Sequence, residues 1–105
     1  MSSQLKSPNW SEIQIGGHPC DVFTPQRPNP HGFAVVYLHG VHLQRLRDHA
    51  PFTDALERHG LPCLAPMTQR SWWTNRICPE FDPQLTAERH LLDNVLPWLR
   101  DQWRV

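Results

Sequence analysis

The segment FAVVYL, at residues 33–38, constrains the fold of this chain more than any other feature. Its side chains are apolar at every position, and successive side chains of a strand point to opposite faces of a sheet. The run therefore predicts a strand covered on both faces, as in parallel sheets. An amphipathic stretch at residues 48–60 separates it from a second apolar run, LPCLAP, at residues 61–66. Strand, helix and strand at this spacing predict a βαβ unit with a right-handed crossover.

The helix predicted inside this unit has a defined face and a defined end. Phe52, Ala55, Leu56 and His59 recur at i, i+3, i+4 and i+7, the spacing that brings side chains onto one side of a helix. Gly60 follows at the position where helices commonly end in a left-handed backbone conformation. We therefore expect the helix to terminate at Gly60.

A second helix is predicted near the end of the chain. Asp82 suits the N-cap and Pro83 the first helical position, and the helix is expected to run to about Trp103. Pro97 interrupts it, because proline lacks a backbone N–H, at a cost of ~3 kcal/mol that packing must offset. The apolar residues expected on one stripe of this helix are Leu85, Leu92, Val95, Leu96, Leu99 and Trp103.

The N-terminal part of the chain predicts a β-hairpin. Ile13 and Ile15 alternate before Gly16 and Gly17, and a second short apolar run follows, as expected for two strands joined by a tight turn. Residues 1–10 are expected to be flexible. Residues 11–105 are expected to form an α/β structure with a hairpin, a βαβ unit and a second long helix.

The predicted sheet is incomplete, because no strand follows the second helix in this sequence. We therefore expect the chain to be the N-terminal part of a larger domain. One edge of the strand at residues 33–38 would lack a partner, and free N–H and C=O groups on such an edge favour self-association.

Composition excludes several classes of function. The 105 residues carry ten basic and ten acidic side chains, so no basic surface for nucleic acid or an anionic membrane is expected. No segment has the length of a membrane span or the pattern of a signal peptide. Cys20, Cys63 and Cys78 are odd in number and widely spaced, which favours free thiols in a reducing compartment. A cytoplasmic location is therefore expected.

Three motifs together resemble the first half of an α/β-hydrolase. They are VVYLHG at residues 35–40, the pair Trp72 and Trp73 followed by Arg76, and VLPWL at residues 95–99. The similarity is greatest to the esterase branch that contains S-formylglutathione hydrolases and enterochelin-esterase-like enzymes, and it covers the chain from about Ile13 to Val105.

The resemblance implies an oxyanion loop. In this family a backbone N–H directly after the His-Gly pair helps to bind the oxyanion formed when an ester carbonyl is attacked. Carried over by position, that donor is Val41, and Gly40 lets the backbone turn closely. The resemblance further implies that His42, Trp72, Trp73 and Arg76 shape the substrate rim. It implies a small-molecule ester or thioester substrate and no cofactor.

The nucleophile of the family is missing from this sequence. In α/β-hydrolases a serine in G-x-S-x-G attacks the substrate, and the acid and the histidine follow it in the chain. None of the serines here has that context; they are Ser2, Ser3, Ser7, Ser11 and Ser71. The resemblance therefore implies a chain that contributes the oxyanion loop and substrate rim of a serine esterase but is inactive alone.

The sequence is also compatible with two other classes of function. One is a non-catalytic binding protein built on a truncated hydrolase scaffold. The other is a metal-binding domain in which His39, His42, Asp48 and His49 hold zinc, although no H-E-x-x-H or paired C-x-x-C motif supports it.

The rim residues also have simpler interpretations. The two tryptophans can pin a long loop onto the sheet instead of lining a pocket. Arg76 can pair with Glu80 or Asp82 at the surface, where an ion pair contributes only ~0–1 kcal/mol.

Overall fold

The structure, a computed structural model, describes residues 9–103 of the chain. Four strands form one mixed sheet in the order β1-β2-β4-β3. Strands β1 and β4 pair antiparallel with β2, whereas β3 pairs parallel with β4. The predicted α/β class, with a hairpin followed by a strand–helix–strand unit, is confirmed for these residues. The strands are β1 (Trp10–Ile15), β2 (His18–Phe23), β3 (Val35–Val36) and β4 (Cys63–Pro66).

The hairpin turn requires both of its glycines. Gly16 and Gly17 have φ values of +59° and +82°, which suit a two-residue hairpin turn. A Cβ added at Gly16 would lie 2.5 Å from the side-chain nitrogen of Asn94, so this turn also packs closely against the last helix. Strand β1 begins at Trp10, whose ring contacts Phe23 with a centroid distance of 5.2 Å. Residues 1–8 of the expected flexible segment lie outside the described residues.

Strand β3 is shorter and less covered than its sequence predicted. Only Val35 and Val36 belong to the ladder, and both are half-buried. Phe33 is 65 % exposed and Leu38 is 42 % exposed. Among residues 9–103, β4 is the one strand that pairs with β3, so the unpaired edge expected from the sequence is present. Val35 and Val36 pack against cores on opposite faces of the sheet, so the expected cover on both faces is only partial.

The first helix, α1 (Ala50–Arg58), ends as predicted but buries another face. Gly60 has a φ of +64° and follows the helix as expected. Thr53 and Leu56 are the buried residues of α1, whereas Phe52 and His59 are exposed. The polar Thr53 faces inward because its hydroxyl accepts a hydrogen bond of 3.0 Å from the Trp10 indole.

The second helix begins later than predicted. Helix α2 (Ala87–His90) has Thr86 as its N-cap, and the Thr86 hydroxyl accepts a hydrogen bond from the Arg89 N–H at 3.1 Å. The assignment of Asp82 as N-cap was wrong. One oxygen of Asp82 accepts bonds from two backbone N–H groups of a separate turn, and the other contacts His18 at 2.8 Å.

A π turn changes which residues the second helix buries. The turn, Leu91–Val95, joins α2 to α3 (Leu96–Trp103), so the helix reaches Trp103 as expected. The π turn ends two residues before Pro97, whose missing N–H would leave a carbonyl of a regular helix unpaired. The predicted stripe is therefore only partly buried: Leu92 is 43 % exposed, and Leu85 precedes the helix.

Helices cover both faces of the sheet, because alternate residues of β2 and β4 enter different clusters. One cluster, with buried residues Ile15, Cys20, Val22, Leu64, Val95 and Leu99, lies between the sheet and the second helix. The other, with buried residues Phe23, Leu46, Leu56 and Cys63, lies on the side of α1. The loops that follow β3 and β4 emerge from the same end of these two parallel strands.

Candidate functional site

His39 holds the loop that follows β3 in place. The residue is 4 % exposed. Its Nδ1–H donates to the carbonyl of Gly40 at 3.0 Å, and its Nε2 accepts a hydrogen bond of 2.9 Å from the backbone N–H of Thr68. A donor on one ring nitrogen and an acceptor on the other define a neutral imidazole. Both ring nitrogens of His39 are thus occupied by hydrogen bonds that hold this loop.

The tryptophan loop, residues 67–86, is tied to His39 by Trp73. The indole Nε1–H of Trp73 donates to the carbonyl of His39 at 3.0 Å, and the two rings lie 5.1 Å apart. The Ser71 hydroxyl accepts from the Trp73 N–H at 3.2 Å and donates to the hydroxyl of Thr68 at 2.9 Å. Neutral hydrogen bonds therefore join the loop after β3 to the loop after β4.

The tryptophan loop also has a strained backbone. Gln69, Trp72 and Trp73 have φ values of +56°, +58° and +56°. In the described part of the chain, Leu43 is the one other residue besides glycine with positive φ. Such conformations cost on the order of 1–3 kcal/mol each and cluster at ligand-binding and catalytic sites.

A pocket of about 100 Å³ lies between these two loops. Val41 lines it, and no residue in the range 9–103 accepts a hydrogen bond from the Val41 N–H. The turn is closed instead by the Leu43 N–H, which donates to the carbonyl of Gly40 at 3.0 Å. The lining residues are His39, Gly40, Val41, Gln69, Arg70, Trp72 and Trp73.

The structure brings together four of the six residues predicted from sequence. Gly40, Val41, Trp72 and Trp73 all line the pocket, with Trp73 half-buried and Trp72 71 % exposed. The other two, His42 and Arg76, are exposed side chains that do not line it.

Arg70 is the cationic residue that lines the pocket, and sequence reasoning missed it. Its Nη1 donates to Glu80 at 2.7 Å, so Arg70 takes the partner that the sequence suggested for Arg76. The sequence signal was a second arginine, two residues before Trp72. Spacing alone could not choose between the two arginines, because the choice depends on the left-handed turns of this loop.

A buried ion pair explains the charged residues that follow the His-Gly pair. Asp21, on β2, is fully buried, and Arg45 binds it through Nε at 2.8 Å and Nη2 at 2.5 Å. The hydrogen bonds that Arg45 donates to Asp21 raise the pKa of Arg45 above its already high usual value. Arg47 adds a longer contact of 3.6 Å to the same carboxylate. These arginines anchor the loop to the sheet.

A second polar cluster lies beneath the hairpin. His90 is fully buried, and its Nδ1 lies 3.0 Å from the side-chain nitrogen of Asn94. Its Nε2 is buried without a hydrogen-bond partner among the described residues. The His18 ring, which contacts Asp82 at 2.8 Å, lies 5.2 Å from the His90 ring. Burial lowers the pKa of His90 to about 4.

The thiols show no sign of activation. Cys20 and Cys63 are buried, and burial raises the pKa of each to about 12, which disfavours the reactive thiolate. Cys20, Cys63 and Cys78 are all free of disulfide bonds.

Metal ligands do not converge within residues 9–103, where no three histidine, cysteine, aspartate or glutamate side chains could hold one ion. His39 binds Thr68, whereas His49 caps α1 through a 3.2 Å hydrogen bond from the Phe52 N–H. In the same part of the chain, no helix has the length and apolarity needed to cross a membrane.

Comparison of this chain with known proteins gave no match. Neither a family model, nor a curated protein, nor a solved structure corresponds to it. A function must therefore follow from the chemistry of the residues at the pocket.

Proposed function

We propose that this chain supplies the oxyanion-binding loop and one wall of the substrate pocket of a serine hydrolase that acts on carboxylic esters or thioesters. One observation carries the proposal. The N–H of Val41 has no partner within residues 9–103, and Val41 lines a pocket walled by Trp72 and Trp73. A free backbone donor beside an apolar surface suits a developing oxyanion and its acyl chain.

The position of the loop in the fold supports the proposal. The loop follows β3 and precedes α1, and α/β-hydrolases take one oxyanion donor from the corresponding connection. His39 would orient this loop and would not transfer protons, because both of its ring nitrogens already make hydrogen bonds.

Within residues 9–103, one edge of β3 pairs with no strand, and this edge supports the same proposal. Trp103, at the end of α3, lines a cleft of about 340 Å³ together with Gly32 and Phe33, just before β3. A strand that began after Trp103 would start beside β3 and could pair with it in parallel. In the proposed enzyme this strand leads to the serine of G-x-S-x-G, and the acid and catalytic histidine follow in the chain.

Titration of the ¹⁵N-labelled chain with butyrate tests the site. A butyrate oxygen should accept a hydrogen bond from the Val41 N–H. The amide resonance of Val41 and the indole resonance of Trp73 should therefore shift together and reach saturation as butyrate is added. The amide resonance of Phe33, which lines the cleft beside Trp103, should not follow the same titration curve. Val41→Ala keeps the donor and should still bind, whereas Val41→Pro removes it. Binding that Val41→Pro leaves intact would refute the oxyanion assignment.

A binding protein without catalysis is the second candidate. Residues of this chain line the pocket, so it can hold a small ligand without a nucleophile. A fluorophosphonate probe on the protein translated from the complete reading frame separates the two candidates. Labelling of a serine supports the hydrolase, and butyrate binding without labelling supports the binding protein.

A further inference from the structure

We infer that the acyl group taken by this pocket is short and ends in a carboxylate, and that Arg70 is the residue that determines this specificity. The inference rests on the proposed function and adds the substrate class. Arg70 and Val41 line the same pocket. A ligand whose carbonyl oxygen lies at the Val41 N–H can therefore present its other end to a guanidinium.

The guanidinium of Arg70 has unused hydrogen-bond donors. An arginine side chain carries five N–H donors. Within residues 9–103, the hydrogen bond found for this side chain is the one from Nη1 to Glu80, at 2.7 Å. Both side chains of this ion pair are largely exposed, so the pair is weak and leaves Arg70 accessible to a second carboxylate.

The size of the pocket limits the acyl chain. A volume of about 100 Å³ admits a chain of about three to four carbons, since a water molecule in the liquid occupies ~30 Å³. The methylene groups would lie against Trp72 and Trp73. A four-carbon dicarboxylic acyl group matches the pocket in volume, in its apolar middle and in its charged end.

Comparison of succinate with butyrate tests the inference, because the two ligands share a four-carbon chain and differ in the second carboxylate. Isothermal titration of the full chain should show succinate binding about tenfold more tightly, the scale expected for one additional charged hydrogen bond. Arg70→Gln should abolish this preference, so the ratio of succinate to butyrate affinity should fall from about ten to about one. Arg76→Gln, the matched control, should leave the preference intact because Arg76 lies outside the pocket.

Glu80→Gln provides an independent measurement. It frees Arg70 from its present partner, so the ratio of succinate to butyrate affinity should rise severalfold. Thermal unfolding followed by circular dichroism confirms that each variant is folded.

Each outcome decides between distinct conclusions. Equal affinity of the native chain for both ligands, or a preference that survives Arg70→Gln, overturns the specificity inference but leaves the oxyanion proposal standing. Failure of both ligands to shift the Val41 amide overturns both proposals. If Arg76→Gln, and not Arg70→Gln, removes the preference for succinate, then Arg76 binds the second carboxylate of succinate.

Discussion

The loops after β3 and β4 each contain an arginine that pairs with a carboxylate, yet the two pairs lie in opposite environments. Arg45 binds Asp21, a carboxylate that is fully buried beneath the loop after β3. Arg70 binds Glu80 at the surface of the tryptophan loop, where both side chains are largely exposed. The same kind of ion pair thus anchors the loop after β3 but leaves Arg70 accessible to a ligand. Burial, and not residue type, separates the structural arginine from the proposed specificity residue.

The largest expected effect comes from breaking the buried pair. Arg45→Ala leaves the Asp21 carboxylate buried with only the longer contact to Arg47. Removal of one partner of a buried pair costs about 3–5 kcal/mol. Arg70→Ala, the matched control at the exposed pair, should cost ~0–1 kcal/mol. Urea unfolding of both variants measures the difference, and equal losses would show that burial does not distinguish the two loops.

The next largest effect concerns Val41, the proposed oxyanion donor. In a longer protein with G-x-S-x-G in the same reading frame, Val41→Pro should lower kcat by roughly a hundredfold, the scale for losing one oxyanion donor. Val41→Ala retains the N–H and should stay within a few-fold of the native kcat. Circular dichroism must show that the proline variant is folded. A folded proline variant with native kcat would remove Val41 from the mechanism.

Acid should weaken the fold through His90. Its folded pKa of about 4 lies below the ordinary value of 6.5, so the unfolded chain takes up a proton that the folded chain resists. Stability should therefore fall as the pH drops from about 6.5 to about 4, by up to ~3 kcal/mol. Asp82 adds to the loss only at lower pH, because bonds from backbone N–H groups and from His18 lower its pKa.

The variant His90→Gln separates this contribution from the others. Glutamine does not titrate, so the slope of unfolding free energy between pH 6.5 and pH 4 should flatten. If His90→Gln keeps the native slope of unfolding free energy against pH, another group causes the acid sensitivity. Urea unfolding at a series of pH values measures both slopes.

The smallest effects distinguish the two tryptophans. Trp73→Phe removes the indole hydrogen bond to the His39 carbonyl and should cost about 1 kcal/mol or slightly more. Trp72 is 71 % exposed, and Trp72→Ala should change stability by no more than ~0.5 kcal/mol. Thermal unfolding tests both values. A larger loss for Trp72 would mean that Trp72, and not Trp73, pins the loop.

The sequence by itself determined the features that depend on local rules. Gly16 and Gly17 mark the hairpin turn, because their positive φ values strain any other residue. Gly60 marks the end of α1 for the same reason. The spacing of the two apolar runs, with a helix between them, predicted the parallel pairing of β3 with β4.

Only the tertiary structure decided where distant residues meet. Asp82 has the sequence context of an N-cap, but His18, 64 residues away in the chain, contacts its carboxylate. Arg70 and Arg76 both lie within three residues of the tryptophan pair, and only the folded loop brings Arg70 to the pocket. Contacts between distant residues depend on the paths of several elements at once, which no short window of sequence contains.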